Sequence, residues 1–449
     1  MSPFVIREKE SDGQPETVVT VGELELVGRN CKLQDPKLLK KIDPVDVDAT
    51  IIAYASPDST YAVTKRLLDG AKKEIVIGIY DFSADYMKDI LLNAMQRGVK
   101  VALMLDIDSA VEQKLFNALA KFGCDAVPAP SCASKVVSYF PSSHEKVIVI
   151  DETWCLVQSG NYSANSIPLN EKDGGDPAHF VTGNRDMGVA IQSPELAKFF
   201  KKVLRSDMKL ETDAASPQGV GAEGRLREEP DLVEAVPESL PKKLFPSKTF
   251  ELTKSVSVQP VLSPDSYMRV IPGMLESATK SILIEQQYIR STQSDIVTLL
   301  EAIKTARGKH PQLQVRIILG KLFSAADATK EVANVANMKK KYGLKLGDNI
   351  RYIDTKRFVH CHNKLIVVDG SQVLVSSQNW SNSAVSKNRE AGVLFTMPAV
   401  AKYFTGIFDS DWETAFQKVP KPGKKQAVTP EAVARGGFLE VRAADYQEV

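Results

Sequence analysis

The sequence predicts an α/β fold of two similar lobes, each a mixed β-sheet flanked by helices. A pseudo-two-fold axis relates the lobes, with the active site at their interface. Three observations point there. The chain resembles itself at a spacing of about 210 residues, which marks one duplicated domain and not a solenoid array. Within each half, apolar strand patterns alternate with helical ones, as in a mostly covered sheet. A His-x-Lys step also recurs in the same setting. His144-Glu145-Lys146 runs into Val147-Ile148-Val149-Ile150 and Asp151, and His362-Asn363-Lys364 runs into Leu365-Ile366-Val367-Val368 and Asp369.

Residues 1–48 read as an N-terminal extension, whose first 45 residues are expected to lay an edge strand or hairpin against the first lobe. The first lobe spans 49–206. Ser56-Pro57-Asp58-Ser59 reads as a helix start, a polar cap with Pro in the first turn, and Tyr61, Val63, Leu67, Leu68 and Ala71 give that helix one apolar face. A strand over 74–80, a helix over 84–97 stopped by Gly98, and a strand over 99–105 lead to the first His/Lys strand. Strands at 154–158 and 187–191 and a helix near 194–205 close the lobe. Residues 207–256 read as a linker: Pro217, Pro230, Pro237, Pro241 and Pro246 fall in it, and eight acidic against two basic residues lie between Glu211 and Glu238. The second lobe, 257–416, repeats the order: Ser263-Pro264-Asp265-Ser266 and its helix, a strand at 281–285, a helix near 293–306, a strand at 313–319, the second His/Lys strand, strands at 373–376 and 391–395, and a helix near 398–408. A polar tail, 417–449, carries Lys418, Lys421, Lys424 and Lys425 and reads as solvated.

Composition narrows the class. With 43% hydrophobic and 25% charged residues, the chain is a soluble globular protein. A net charge of +1 gives no general pull toward a polyanion, though a local basic groove is compatible with it. The N-terminus lacks an apolar signal core, and no run approaches the roughly 20 apolar residues of a membrane span. A cytoplasmic protein is expected, with peripheral membrane contact left open. Cys31, Cys124, Cys132, Cys155 and Cys361 form no Cys-x-x-Cys pair, which favours reduced thiols; a Cys124–Cys132 pairing stays open.

Strand residues i and i+2 share a face, so His144 and Lys146 point one way, as do His362 and Lys364. Seventeen residues after each His comes an Asn in a small polar turn, Ser159-Gly160-Asn161 and Ser377-Gln378-Asn379. Phosphodiester cleavage needs a nucleophile, an acid for the leaving oxygen, and cations or donors on the non-bridging oxygens. One copy supplies one His; two copies meeting at a pseudo-two-fold supply both. Lys146, Lys364, Asn161 and Asn379 then clamp the phosphate, with Ser159 and Ser377 as further phosphate-bonding hydroxyls. A neutral imidazole needs a carboxylate to set its tautomer, and Asn184-Arg185-Asp186 and Asn388-Arg389-Glu390 place Asp186 and Glu390 for that role. Asp151 and Asp369, at the far end of each strand, are expected to secure turns. No His-Glu-x-x-His, Asp-rich loop or Cys/His cluster competes as a metal site, so no metal or other cofactor is expected.

This arrangement resembles the phospholipase D superfamily, whose signature is H-x-K-x4-D, a Ser/Gly-rich Asn turn and a downstream acid. The resemblance covers residues 50–205 and 260–415. It implies a two-lobed fold with the site between the lobes, a covalent phosphohistidine intermediate and no metal. By resemblance His144 is the nucleophile and His362 the general acid, with the reverse assignment open. Gln378 departs from the Gly often found there. The expected activity is release or exchange of a phospholipid head group. A metal-independent nuclease built on the same site is the alternative, and a non-catalytic relative and a membrane synthase are the remaining readings. The duplicated site means that a monomer suffices for activity.

Plainer readings stand beside these. His360 shares the His362 face and either lines the pocket or is structural; Cys361 faces the core. Arg185 and Arg389 either bind phosphate or form supporting salt bridges. Trp154, Trp380 and Tyr162 read as packing, although the residues after each Asn, Tyr162 and Trp380, have a better claim to the pocket. His144 to Arg185 spans 41 positions and His362 to Arg389 spans 27, so the first half carries 14 more residues there, including Gly174 and Gly175, as a lid or as an inert loop.

Overall fold

Each His-x-Lys step enters the middle of a sheet. The computed structural model describes residues 31–134, 136–214, 237–322 and 325–421. The first half runs β1 (Val45–Val47), β2 (Thr50–Ser56), α1 (Thr60–Asp69), β3 (Glu74–Ile79), α2 (Asp85–Gln96), β4 (Lys100–Leu105), α3 (Ala110–Phe122), β5 (Asp125–Pro128), β6 (Lys146–Ile150), β7 (Trp154–Gln158), β8 (Asp186–Gln192) and α4 (Pro194–Ala214). The second runs β9 (Lys248–Glu251), β10 (Val256–Ser263), α5 (Tyr267–Glu276), β11 (Ser281–Gln286), α6 (Ser294–Lys309), β12 (Gln314–Leu319), α7 (Ala325–Tyr342), β13 (Ile350–Tyr352), β14 (Lys364–Val368), β15 (Gln372–Ser376), α8 (Asn382–Ser386), β16 (Glu390–Thr396) and α9 (Pro398–Thr414).

Two mixed sheets result, ordered β5-β4-β3-β6-β7-β8-β2-β9 and β13-β12-β11-β14-β15-β16-β10-β1. The parallel strands β3, β4 and β5, and likewise β11, β12 and β13, need helical crossovers, which α2, α3, α6 and α7 provide. Every residue of β6 and β14 is buried because helices cover one face and the opposing lobe covers the other. One core cluster joins the inner faces of both sheets with α4 and α9, through Val147, Val149, Leu365, Val367, Phe200 and Phe404; two others lie under the outer helices.

The expected architecture stands, with corrections at its edges. The helix expected to stop near 205 runs on to Ala214, because Asp207, Met208 and Glu211 are buried on its inner face; only after it can a linker begin. Residues 215–236 and the tail beyond 421 lie outside the described residues. Inside the expected linker, β9 pairs with β2. Residues 1–30, where most of the expected edge strand or hairpin falls, lie outside the described residues, and β1, which begins at Val45 where that expected stretch ends, pairs with β10 of the second lobe. Each sheet therefore receives its outer edge strand from the segment preceding the other lobe. The elements α3 and β5, and α7 and β13, went unread in sequence, although Ser109 and Glu112 form a capping box at α3 and left-handed Gly123 ends it. The two Ser-Pro-Asp-Ser tags do not put Pro in a first helical turn: the Pro follows a cis bond, and Ser59 caps α1 without a side-chain hydrogen bond to the helix. Thiol pairing also differs. Cys31 and Cys132 form a disulfide, and Cys124, Cys155 and Cys361 are free and buried. No helix among the described residues is long and apolar enough to cross a membrane.

The motif aspartates close the hairpins after β6 and β14. Asp151 and Asp369 adopt positive φ, 53° and 52°, as a tight hairpin turn requires. Asp151 accepts from the backbone N–H groups of Lys72, Lys73 and Glu74, and Asp369 from those of Thr279, Lys280 and Ser281. Partial burial opposes their charge, yet these donors outweigh it and hold both carboxyls below the usual aspartate range. Their stabilisation is complete above that range and is lost as pH falls through the lowered native value. Asp369→Ala should cost about 1–2 kcal/mol, discounted for partial exposure, in urea unfolding at neutral pH. The penalty should shrink in acid, and any phosphodiesterase activity should persist.

Candidate active site

The backbone brings each His to the opposite lobe before any side chain acts. His144 N–H donates to Arg389 O at 2.7 Å, and Arg389 N–H donates to Ser142 O at 2.9 Å. Symmetrically, His362 N–H donates to Arg185 O at 3.0 Å and Arg185 N–H to His360 O at 2.8 Å. Since Arg185 precedes Asp186 and Arg389 precedes Glu390, each acid is delivered to the other lobe's imidazole. His144 Nδ1 lies 2.8 Å from Glu390 Oε2, and His362 Nδ1 lies 3.0 Å from Asp186 Oδ1. Both pairs are buried, and the two imidazoles lie within each other's electrostatic field. The sequence identified the two acids; their crosswise pairing emerges only in three dimensions.

The serines belong to the acids. Ser377 Oγ donates to Glu390 at 2.5 Å and Ser159 Oγ to Asp186 at 2.7 Å, so these hydroxyls brace carboxylates instead of awaiting phosphate. Both serines accept in turn from the backbone N–H after the acid, Ala391 and Met187. Asn161 and Asn379 each keep a buried amide oxygen without a hydrogen-bond partner, an acceptor open to a donor group, while a phosphate oxygen would be met by their amide N–H groups. A Cβ on Gly160 would sit 3.1 Å from the Asp186 carboxyl, so a side chain there would press on the acid. In the second turn Gln378 turns its amide to Val261 O.

Burial sets the electrostatics. It pushes the Lys146 ammonium down to about 8 and Lys364 to about 7, against the pull of Glu390 on Lys146 and of Asp186 on Lys364. Burial and then Lys364 lower the His362 imidazole to about 4; burial, then Lys146 and Lys364, carry His144 well below its usual value. Burial raises Glu390 to about 8. It opposes the charge of Asp186 as well, but His362, Lys364 and Ser159 outweigh it and hold that carboxyl low. The site therefore holds neutral imidazoles, each with an acid on Nδ1, beside two lysines whose protonation an incoming anion would favour.

The motif arginines are structural. Arg185 donates to Asp58 and to Asp411 of α9, and Arg389 to Asp265 and Asp207 of α4, so each guanidinium ties its own lobe to the long helix of the other. Arg185 also lies over Phe358 and Arg389 over Phe140. Sequence reasoning missed these four aspartates. Their signal was present in the duplication: Asp58 and Asp265 are the acids of the repeated Ser-Pro-Asp-Ser tag, and Asp207 and Asp411 each follow a Ser, 21 residues after Asp186 and Glu390. His360 accepts Lys321 N–H and packs where a Cβ on Gly320 would come within 2.2 Å. Trp380 donates to Tyr267 and Tyr162 packs edge-on to Phe82, both fully buried, and Trp154 packs half-buried on the first outer core. The longer first-half loop is clasped to the segment entering β9, where Ser247 donates to Asp173, and to the tag before α1, where Gly174 N–H donates to Asp58 O.

Comparison with known proteins bears on the family and the fold. The family profile described as "Cardiolipin synthase, PLD-like domain" matches residues 64–208 and 271–412, which is most of both lobes. The chain belongs to this phospholipase D-like family. No curated protein matches it by sequence. Among solved structures, the phosphatidylserine synthase of Haemophilus influenzae Rd KW20 is similar over 85% of this chain and 90% of its own, with a TM-score of 0.58 at 16% identity, a likeness of fold. Nuc, a phospholipase D family member from Salmonella typhimurium, aligns with 35% of this chain and 93% of its own at 22% identity and a TM-score of 0.30.

Removing one partner of a buried ion cluster leaves uncompensated charge. Arg185→Ala should therefore destabilise the protein by about 3–5 kcal/mol in equilibrium unfolding. A loss below about 1 kcal/mol, the range of exposed pairs, would contradict the structural role.

Proposed function

We propose that the protein is a phosphodiesterase of the phospholipase D type. It acts on the head-group diester of a phospholipid, by hydrolysis or by passing the phosphatidyl group to an alcohol, through a phosphohistidine on His144. The crosswise pairs His144–Glu390 and His362–Asp186 carry the reading, because each engages the imidazole Nδ1 with an acid of the other lobe, which favours the tautomer with its lone pair on Nε2. His362 takes up a proton as the anionic diester enters, which offsets the burial and the Lys364 charge that otherwise keep it neutral. His144 Nε2 then attacks phosphorus and the bond to the head-group oxygen breaks as His362 gives that oxygen its proton. His362, now neutral, takes a proton from water or an acceptor alcohol. The new oxygen attacks phosphorus, and the phosphorus–nitrogen bond returns its pair to His144. Lys146, Lys364, Asn161 and Asn379 hold the non-bridging oxygens. The scheme uses the lobes 49–206 and 257–416 as one site, so a single chain carries out both steps. The cardiolipin synthase-like description of the family and the near-neutral net charge support a lipid diester.

Purified protein should turn over phosphatidylcholine vesicles with EDTA present. Cleavage of single-stranded DNA alone would replace this reading with a nuclease, and no turnover of either substrate or of bis(4-nitrophenyl) phosphate would end it. His144→Ala should abolish turnover, and His362→Asn should accumulate an acid-labile phosphoenzyme; wild-type rates in either variant would refute the roles. Because burial lowers Lys364 to about 7 and Lys146 to about 8, ammonium charge is lost as pH rises through that window. A pH–rate series should show kcat/KM falling above about pH 8, mainly through a rising KM.

A further inference from the structure

The pseudo-two-fold matches the histidines, lysines, serines and asparagines of the site, and among the positions where it fails one lies beside the histidines. Ile79 lies opposite Lys146, and Gln286 lies opposite Lys364, so the next residues, Tyr80 and Gln287, are equivalent. Tyr80 is half-buried. Its ring lies 4.6 Å from the His144 imidazole, centroid to centroid, at a 59° tilt. The Lys146 ammonium stands over the same ring, 5.1 Å from its centroid, and the Tyr80 hydroxyl lies 3.4 Å from Asp108. Gln287 supplies no ring to the second lobe.

The lysines differ accordingly. Each ammonium donates to the carbonyl of its own histidine, Lys146 to His144 O and Lys364 to His362 O, both at 2.6 Å. Lys364 also reaches His362 Nε2 at 3.0 Å. No matching contact between Lys146 and His144 Nε2 occurs among the described hydrogen bonds. An imidazole whose Nδ1–H faces a carboxylate has one lone pair, on Nε2, and an ammonium can only donate to it. A nitrogen so engaged is a poor nucleophile until the donor leaves. His362 Nε2 is engaged in this way, whereas His144 Nε2 keeps its pair for phosphorus.

We infer that Tyr80 is a positioning residue that makes the two histidines chemically unequal: its ring packs on His144 and attracts the Lys146 ammonium to its π-face, which keeps that ammonium off His144 Nε2. The lysine remains close enough to hold a phosphate oxygen. Without a ring at Gln287, Lys364 closes on His362 and withholds that ring's lone pair from phosphorus. This inference rests on the phosphohistidine reading for its consequence, but its physical content is visible without turnover.

The test uses the full chain with Tyr80→Phe, Tyr80→Gln and Gln287→Tyr. With bis(4-nitrophenyl) phosphate, Tyr80→Gln, which copies the second lobe, should lower kcat by about tenfold or more while KM changes by less than about twofold; Tyr80→Phe, which keeps the π-face, should stay within about threefold of wild type. The independent readout is imidazole nitrogen NMR, tractable with five histidines in the chain. The His144 Nε2 resonance should move in Tyr80→Gln toward the position that His362 Nε2 shows in the wild type, and should hold still in Tyr80→Phe. Gln287→Tyr should move His362 Nε2 the opposite way, which keeps the inference testable if Tyr80→Gln fails to fold. Equal kcat in the Phe and Gln variants, or an unmoved His144 resonance in Tyr80→Gln, overturns it. The predicted NMR shifts in a protein that cleaves no diester would uphold the positioning role and discard the phosphohistidine reading instead.

Discussion

Everything at the centre of this molecule depends on a reciprocal stitch between the lobes. The backbone of each His segment bonds the residue before the other lobe's acid, and that residue, Arg185 or Arg389, is locked by aspartates from both lobes. Small relative slippage of the lobes would therefore cost hydrogen bonds, buried ion pairs and imidazole alignment together. The apolar core shared by the inner sheet faces, α4 and α9 supplies the bulk attraction, and the stitch sets the register within it.

The stitch also creates an unusual charge balance. Lysines, carboxylates and imidazoles crowd a space from which water is largely excluded, so small displacements decide which group keeps its proton. Glu145 and Glu285 extend the same pattern. One is the middle residue of the first His-x-Lys step; the other rises from β11 to accept the amide of Asn363, the middle residue of the second. Burial raises Glu145 to about 7 and Glu285 to about 8, which lightens the negative charge around each arginine. The two lobes thus place one buried carboxyl by different routes.

The sequence was most legible where duplication doubled the signal. His144, Lys146, His362, Lys364, Asp186 and Glu390 stand out because two copies at matched spacing suppress coincidence, and the apolar runs after each Lys mark central strands. Long-range partnership was harder to read. That Glu390 serves His144 and Asp186 serves His362 is a fact about how two lobes meet, and no local period encodes it. The extent of α4 was hidden because Asp207 and Glu211 look like solvent-facing charge until Arg389 and Ser134 are placed against them. The edge strands β1 and β9 were hidden for a similar reason: three- and four-residue strands carry too little pattern to reveal which sheet receives them. Ser159 and Ser377 were recognised as part of the site but given to phosphate, since hydroxyl chemistry alone does not distinguish a ligand oxygen from a carboxylate.

Housing both halves of a two-fold arrangement in one polypeptide changes what substitution can do. In a pair of identical subunits every replacement near the axis appears twice, so an improvement for the attacking ring is imposed equally on the proton donor. Covalent fusion removes that constraint. Tyr80 and Gln287 occupy one register position yet differ, and the tether thereby lets a symmetric scaffold surround its two histidines unequally.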